Sequence, residues 1–149
     1  MGGARSHFSQ HTFLEHEADI GLRGTGDCWE CAFRAGAAGL LEVMAEPSAV
    51  GAGRKRTVKV SGHDIGALFV SWLNELLFLR DAEGMLFSSY DITIEKLGSG
   101  GYGLAGVILG EKLSQERHGL KTEVKAATFS GLKYGEEAGS CFVQCLLDL

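Results

Sequence analysis

Ile20 and Leu22 alternate with Gly21 and Arg23, the two-residue period of a half-buried strand, which Gly24 and Gly26 close. The period then changes. Trp29, Phe33, Ala37, Leu40 and Met44 recur at helical spacing, and Asp27 with Glu30 three residues later has the form of a capping box. A helix is therefore expected with Asp27 as its N-cap and a stop at Pro47. RKRTVKV at 54–60 returns to period two, with Val58 and Val60 facing one way and Thr57 and Lys59 the other; its four basic residues mark an edge strand. The longest helix is expected from Asp64 to Glu83, capped by Asp64 or Ser61 and ended near Gly84. Ile65, Leu68, Phe69, Trp72, Leu76 and Leu79 form its apolar stripe. Val70, Leu73, Leu77 and Phe78 widen that stripe beyond one face, so this helix is buried on several sides or lies at an interface. Asn74 and Glu75 interrupt it, and buried polar groups of that kind must find hydrogen bonds.

From Leu86 onward the pattern is of strands: LFSSYDITIEK, YGLAGVILGEKL, EVKAATFSGLKY and CFVQCLLDL. Two main helices against four or more sequential strands predict an α+β fold, a single domain in which a largely antiparallel β-sheet packs with the two helices. Residues 1–10 are expected to be a disordered tail and 11–149 the domain. The 22 glycines against one proline suit many tight turns. Fourteen Lys and Arg against nineteen Asp and Glu give a net charge of −5, which excludes a general basic field for holding nucleic acid. Any RNA contact must be local or indirect, and the basic run at 54–59 either protects an edge or docks an acidic partner or RNA. No apolar run approaches the ~20 residues that span a bilayer. MGGARSHFSQ has no apolar stretch of a secretory signal or anchor, so a cytoplasmic protein with no membrane partner is expected.

Three motifs look like chemistry and read better as structure. Gly98, Gly100 and Gly103 spell GxGxxG, but the LAGVIL that follows reads as a strand, so a hairpin turn replaces a phosphate cradle at a helix N-terminus. Cys28 and Cys31 form a CxxC at the start of a helix, where a lowered thiol pKa would suit redox chemistry. Thioredoxin-like enzymes also need a proline facing that site, and Pro47 is misplaced for it. A zinc site with Cys141 and Cys145 would need a knuckle where a strand is expected, which leaves small buried reduced thiols as the reading. The five histidines are scattered, with no HExxH.

Hard cations need several oxygen ligands, and short carboxylates brought together from distant strands supply them. Asp19 at the entrance to the first strand and Asp148 near the end of the last are candidates, joined by the α-carboxylate of Leu149 if those strands are neighbours.

EHEADIG at 15–21, WLNELLFL at 72–79, HGLKTEVKAATF at 118–129 and the closing LLDL at 146–149 stand in the order and spacing of the archease family, which the chain resembles over residues 11–149. The resemblance implies an α+β protein cofactor of RtcB-type RNA ligases, active in tRNA splicing and RNA repair. Such a cofactor promotes GTP-dependent guanylylation of the ligase and its multiple turnover without itself making the bond. It implies a divalent cation (Ca²⁺, Mg²⁺ or Mn²⁺) at an all-oxygen site, GTP used by the ligase, and RNA met only through the ligase. The aspartate of the family's HTADIG motif corresponds to Asp19, its aspartate near the carboxyl end to Asp148, and its terminal carboxylate to that of Leu149. Its functional lysine corresponds to Lys125, with His118 and His16 as weaker candidates. Glu17 stands where threonine is usual, and adds a carboxylate beside Asp19; Leu149 stands for the commoner isoleucine. Two other classes remain open: a stand-alone metal-dependent phosphohydrolase using the same carboxylates, and a chaperone or specificity module for an RNA-modifying enzyme.

Overall fold

The structure is a computed structural model that describes residues 8–15 and 19–149. The chain runs β1 (Ser9–Glu15), β2 (Asp19–Gly26), α1 (Trp29–Met44), a 3₁₀ turn at Pro47–Ala49, β3 (Arg54–Gly62) and α2 (Ile65–Glu83). It continues through β4 (Met85–Lys96), β5 (Tyr102–Lys112), the short α3 (Gln115–His118), β6 (Ala126–Glu137) and β7 (Ser140–Asp148). The fold is α+β, and its strands form two sheets rather than one: β1-β2-β7-β6 and β3-β5-β4, with every pairing antiparallel.

Both main helices touch both sheets. α1 packs on β1, β2 and β7 of the first and β4 of the second, while α2 packs on β6 and β7 and also on β3, β4 and β5. A helix layer between two sheets has little solvent-facing surface, which explains why the apolar stripe of α2 exceeds one face: Val70, Leu73 and Leu77 are buried, and only Phe78 of the widening set is exposed. Trp72 is completely buried and donates its indole N–H to the Phe33 carbonyl at 3.0 Å, tying the helices together. α1 lies so close on β2 that a Cβ at Gly24 would meet the Ala32 carbonyl oxygen at 2.1 Å.

Local signals were legible with two shifts. Asp64 caps α2 by accepting from Ala67 N–H at 2.8 Å, and Gly84 ends it in the left-handed region at φ 64°. α1 is capped by Cys28 instead of Asp27: the Cys28 sulfur accepts from Cys31 N–H, Asp27 accepts from Phe8 N–H, and Glu30 accepts from Ile94 N–H on β4. The capping box fails because both its acids are claimed from outside the helix, by Phe8 just ahead of β1 and by Ile94 of β4. β1 was not anticipated and takes in Ser9 and Gln10, the last two residues of the expected disordered tail. The glycine-rich run is the β4–β5 hairpin turn, with Gly100 and Gly101 at positive φ. β3 is an edge strand, with Val58 buried and Lys59 exposed.

Candidate metal centre

β2 begins at Asp19, β7 ends at Asp148, and their antiparallel register sets these two residues directly opposite one another. Opposed residues project from the same face, with Cβ atoms about 4.5–5.5 Å apart. Ile20 and Leu22 pair with the buried Leu147 and Cys145, so one step along, the two aspartates lie on the face turned away from the helices. Asp148 is exposed and Asp19 half-buried. Oδ1 of Asp19 is itself shut from solvent and has no hydrogen-bond partner among the described residues.

An orphaned carboxylate oxygen is costly, and a second carboxylate ~4 Å away would add about 4 kcal/mol of repulsion at an effective dielectric of 20. A cation relieves both. The donors are all oxygen, which suits a hard divalent ion, so the residues present fit the group the family implies. Leu149 follows directly, its side chain packed against the core. No group of three or more His, Cys, Asp or Glu side chains that could hold a metal converges among the described residues. Of the residues expected to hold a cation, Asp19 and Asp148 are brought together by the strand register, and Leu149 follows Asp148 in the chain. His16 and Glu17 lie outside the described residues.

β6 borders the pair on the other side. Ala126 pairs with Asp148, and Lys125 N–H donates to the Asp148 carbonyl at 2.8 Å. The Lys125 side chain is exposed and has no ion-pair partner among the described residues. The entrance to β6 is held from beneath by Asn74 of α2, whose Nδ2 donates to the Ala127 carbonyl (3.0 Å) while its Oδ1 accepts from Ala127 N–H (2.9 Å). Asn74 thus positions Lys125 and Asp148 without touching either, a role that sequence reasoning did not assign. Its signal was the polar pair Asn74 and Glu75 interrupting the apolar stripe of α2.

His118 is fully buried. Its Nδ1 accepts from Ser114 N–H at 2.9 Å and its Nε2 lies 2.6 Å from Glu111, an arrangement that fixes the tautomer with the proton on Nε2. Its ring closes the turn between β5 and α3. Glu111 also accepts from Gly51 N–H at 2.8 Å and pairs with Arg117 at 3.2 Å. The Gly51 hydrogen bond above all, then that of His118, holds its carboxyl below the usual carboxylate range.

All four cysteines are free thiols. Cys141 and Cys145 lie in β7 as expected, and burial pushes the Cys145 thiol up to about 12.

The Archease protein family (MTH1598/TM1083) matches residues 11–149. The chain belongs to the archease family. Protein archease of Pyrococcus abyssi is 43% identical over 119 residues, covering 80% of this chain and 83% of that one. The Methanothermobacter thermautotrophicus archease is 35% identical over 137 residues, covering 92% and 96%. Among solved structures, the solution structure of Methanobacterium thermoautotrophicum protein 1598 superposes with a TM-score of 0.81 at 33% identity, covering 93% of this chain and 98% of that one. A Thermotoga maritima crystal structure described as an archease and possible chaperone gives a TM-score of 0.57 at 18% identity, over 91% and 94%; at that identity the likeness is one of fold. Among the described residues of this archease, no helix is long and apolar enough to cross a membrane.

Proposed function

We propose that this archease is a metal-binding protein cofactor that activates an RtcB-type RNA ligase, promoting its GTP-dependent guanylylation and multiple turnover in tRNA splicing and RNA repair. The observation that carries the reading is the orphaned Asp19 oxygen opposite Asp148, at the positions of the family's acidic residues. Asp19, Asp148 and the Leu149 carboxylate would hold a divalent cation. Such an ion, when bound, supplies charge neutralisation and a coordination position for a phosphate oxygen. Lys125, exposed at the entrance to β6, donates hydrogen bonds to a phosphate oxygen or to a carboxylate of the ligase. The chain is an accessory to the ligase, works in the cytoplasm and meets RNA through its partner.

The test is multiple-turnover ligation by the RtcB-type ligase from the same source, with GTP and Mn²⁺. The native chain raises turnover; Asp148→Ala and Lys125→Ala, folded to the same extent, do not. Phosphate release from nucleotides without any ligase would favour a phosphohydrolase instead. The chaperone reading has one observation in its favour. Phe78 and Phe129, each 60% exposed, line one open groove with Val60, Val70 and Asn74. Stimulation that survives loss of both aspartates but fails in Phe78→Ser/Phe129→Ser would favour it.

A further inference from the structure

The far end of β2 from Asp19 carries a second constellation. Cys28, the extended N-cap of α1, accepts from Cys31 N–H at 3.2 Å, and the two sulfurs are 2.7 Å apart. The cap and the third residue after it face each other across the first helical turn, which places the two sulfurs within reach of each other. Their exposure differs in a useful way: Cys28 is half-buried and reachable from solvent, whereas Cys31 is 1% exposed and reachable only through its neighbour. Arg34, one turn along, donates from Nη2 to the Cys31 sulfur at 3.4 Å and stabilises charge that develops there.

Cys141 is the competing partner. It pairs with Gly26 across β2 and β7, and Cys31 packs over that glycine so tightly that a Cβ there would lie 2.4 Å from Cys31 Cβ. The Cys141 thiol is buried and lies 3.8 Å from the Glu136 carboxylate, whereas the Cys28 and Cys31 sulfurs already touch.

We propose that Cys28 and Cys31 form a reversible dithiol–disulfide site whose oxidants are small disulfides of the glutathione type. Cys28, deprotonated by solvent, attacks one sulfur of RS–SR; that bond breaks and RS⁻ leaves to take up a proton. Cys31, losing its own proton, then attacks the Cys28 sulfur and expels the second RS⁻. Two cysteine thiols lose two electrons and two protons, and one RS–SR becomes two RSH. Burial holds the Cys28 thiol up at about 11, so Cys28 rests protonated near neutral pH and reacts slowly. The one proline follows the opposite end of α1 from the pair that caps its start. The site is accordingly a stoichiometric switch and not a thioredoxin-like catalyst.

The full chain, purified reduced, is incubated with glutathione disulfide, alkylated and digested with trypsin. Residues 24–34 leave as one peptide, GTGDCWECAFR, containing both cysteines. It is expected two hydrogen atoms lighter and unalkylated, and to return to the alkylated form after dithiothreitol. Cys141→Ser retains this product. Cys28→Ser, which keeps a good N-cap and the native circular dichroism, loses it completely. A link joining this peptide to residues 134–149, a lasting glutathione adduct on Cys28, or full alkylation of both cysteines after prolonged oxidation would each overturn the assignment.

Discussion

Glu111 and Asp19 are both carboxylates at the margin of the core, and their surroundings are opposites. Glu111 is enclosed by donors: the Gly51 N–H, the His118 ring and the Arg117 guanidinium all reach it. Asp19 has a buried oxygen that no described group reaches, and the residue opposite it is another acid. A buried acid whose donors are all supplied by the chain holds the chain together. One whose donors are missing has its stabilisation supplied from outside, and that is where a ligand belongs. On the proposed reading the Glu111 cluster is structural, although it contains His118, a weaker candidate of the family resemblance, and the Asp19–Asp148 pair is the functional end.

The comparison breaks most visibly in ligase stimulation. Asp148→Ala is expected to lower ligase turnovers by at least tenfold while Glu111→Gln leaves them within about twofold, since about 1.4 kcal/mol corresponds to a factor of ten. Equal losses in both would erase the distinction. Stability sharpens it in the opposite direction. His118→Ala removes the buried ring that bonds both Glu111 and Ser114 and is expected to cost about 2–4 kcal/mol in urea unfolding. Asp148→Ala without added cation removes a repulsion and costs nothing measurable.

A smaller effect is cation-linked stability. At a free Ca²⁺ or Mn²⁺ concentration about 100 times its dissociation constant, the native chain gains about 2.7 kcal/mol against unfolding, and Asp148→Asn gains none. Acid dependence is the smallest effect. The Glu111 carboxyl titrates below its ordinary value of 4.5 in the folded chain. Its contribution is fully present above that value and is lost as pH falls through the lower folded one. Glu111→Gln flattens the acid limb of the stability profile between pH 5 and the folded transition.

The sequence made the strands and helices legible wherever one residue type decides the local geometry, as at Asp64, Gly84 and the glycine-rich turn. It misled at Asp27 and Glu30, because a side-chain oxygen that looks like a cap bonds whatever N–H the tertiary fold brings to it, here Phe8 just ahead of β1 and Ile94 on β4. β1 was hidden because the only apolar residues of SQHTFLE, Phe13 and Leu14, are adjacent, and the position that meets α1 carries the polar His11, bonded to Glu42. The division into two sheets was not readable either, since antiparallel order alone does not say where one sheet ends. The candidate centre was legible as residues from the family motifs. Its geometry was not: the pairing of Asp19 with Asp148 depends on a β2–β7 register set across the length of the chain. Asn74 gave only the weak signal of an amide among leucines, and its partner Ala127 is 53 positions away.

The most direct measurement is calorimetric titration of Ca²⁺ and Mn²⁺ into the native chain, Asp19→Asn and Glu111→Gln, each checked for native circular dichroism. The account predicts saturable binding to the native chain and to Glu111→Gln, and its loss in Asp19→Asn. Undiminished binding in Asp19→Asn, or no binding to the folded native chain at millimolar cation, would contradict it.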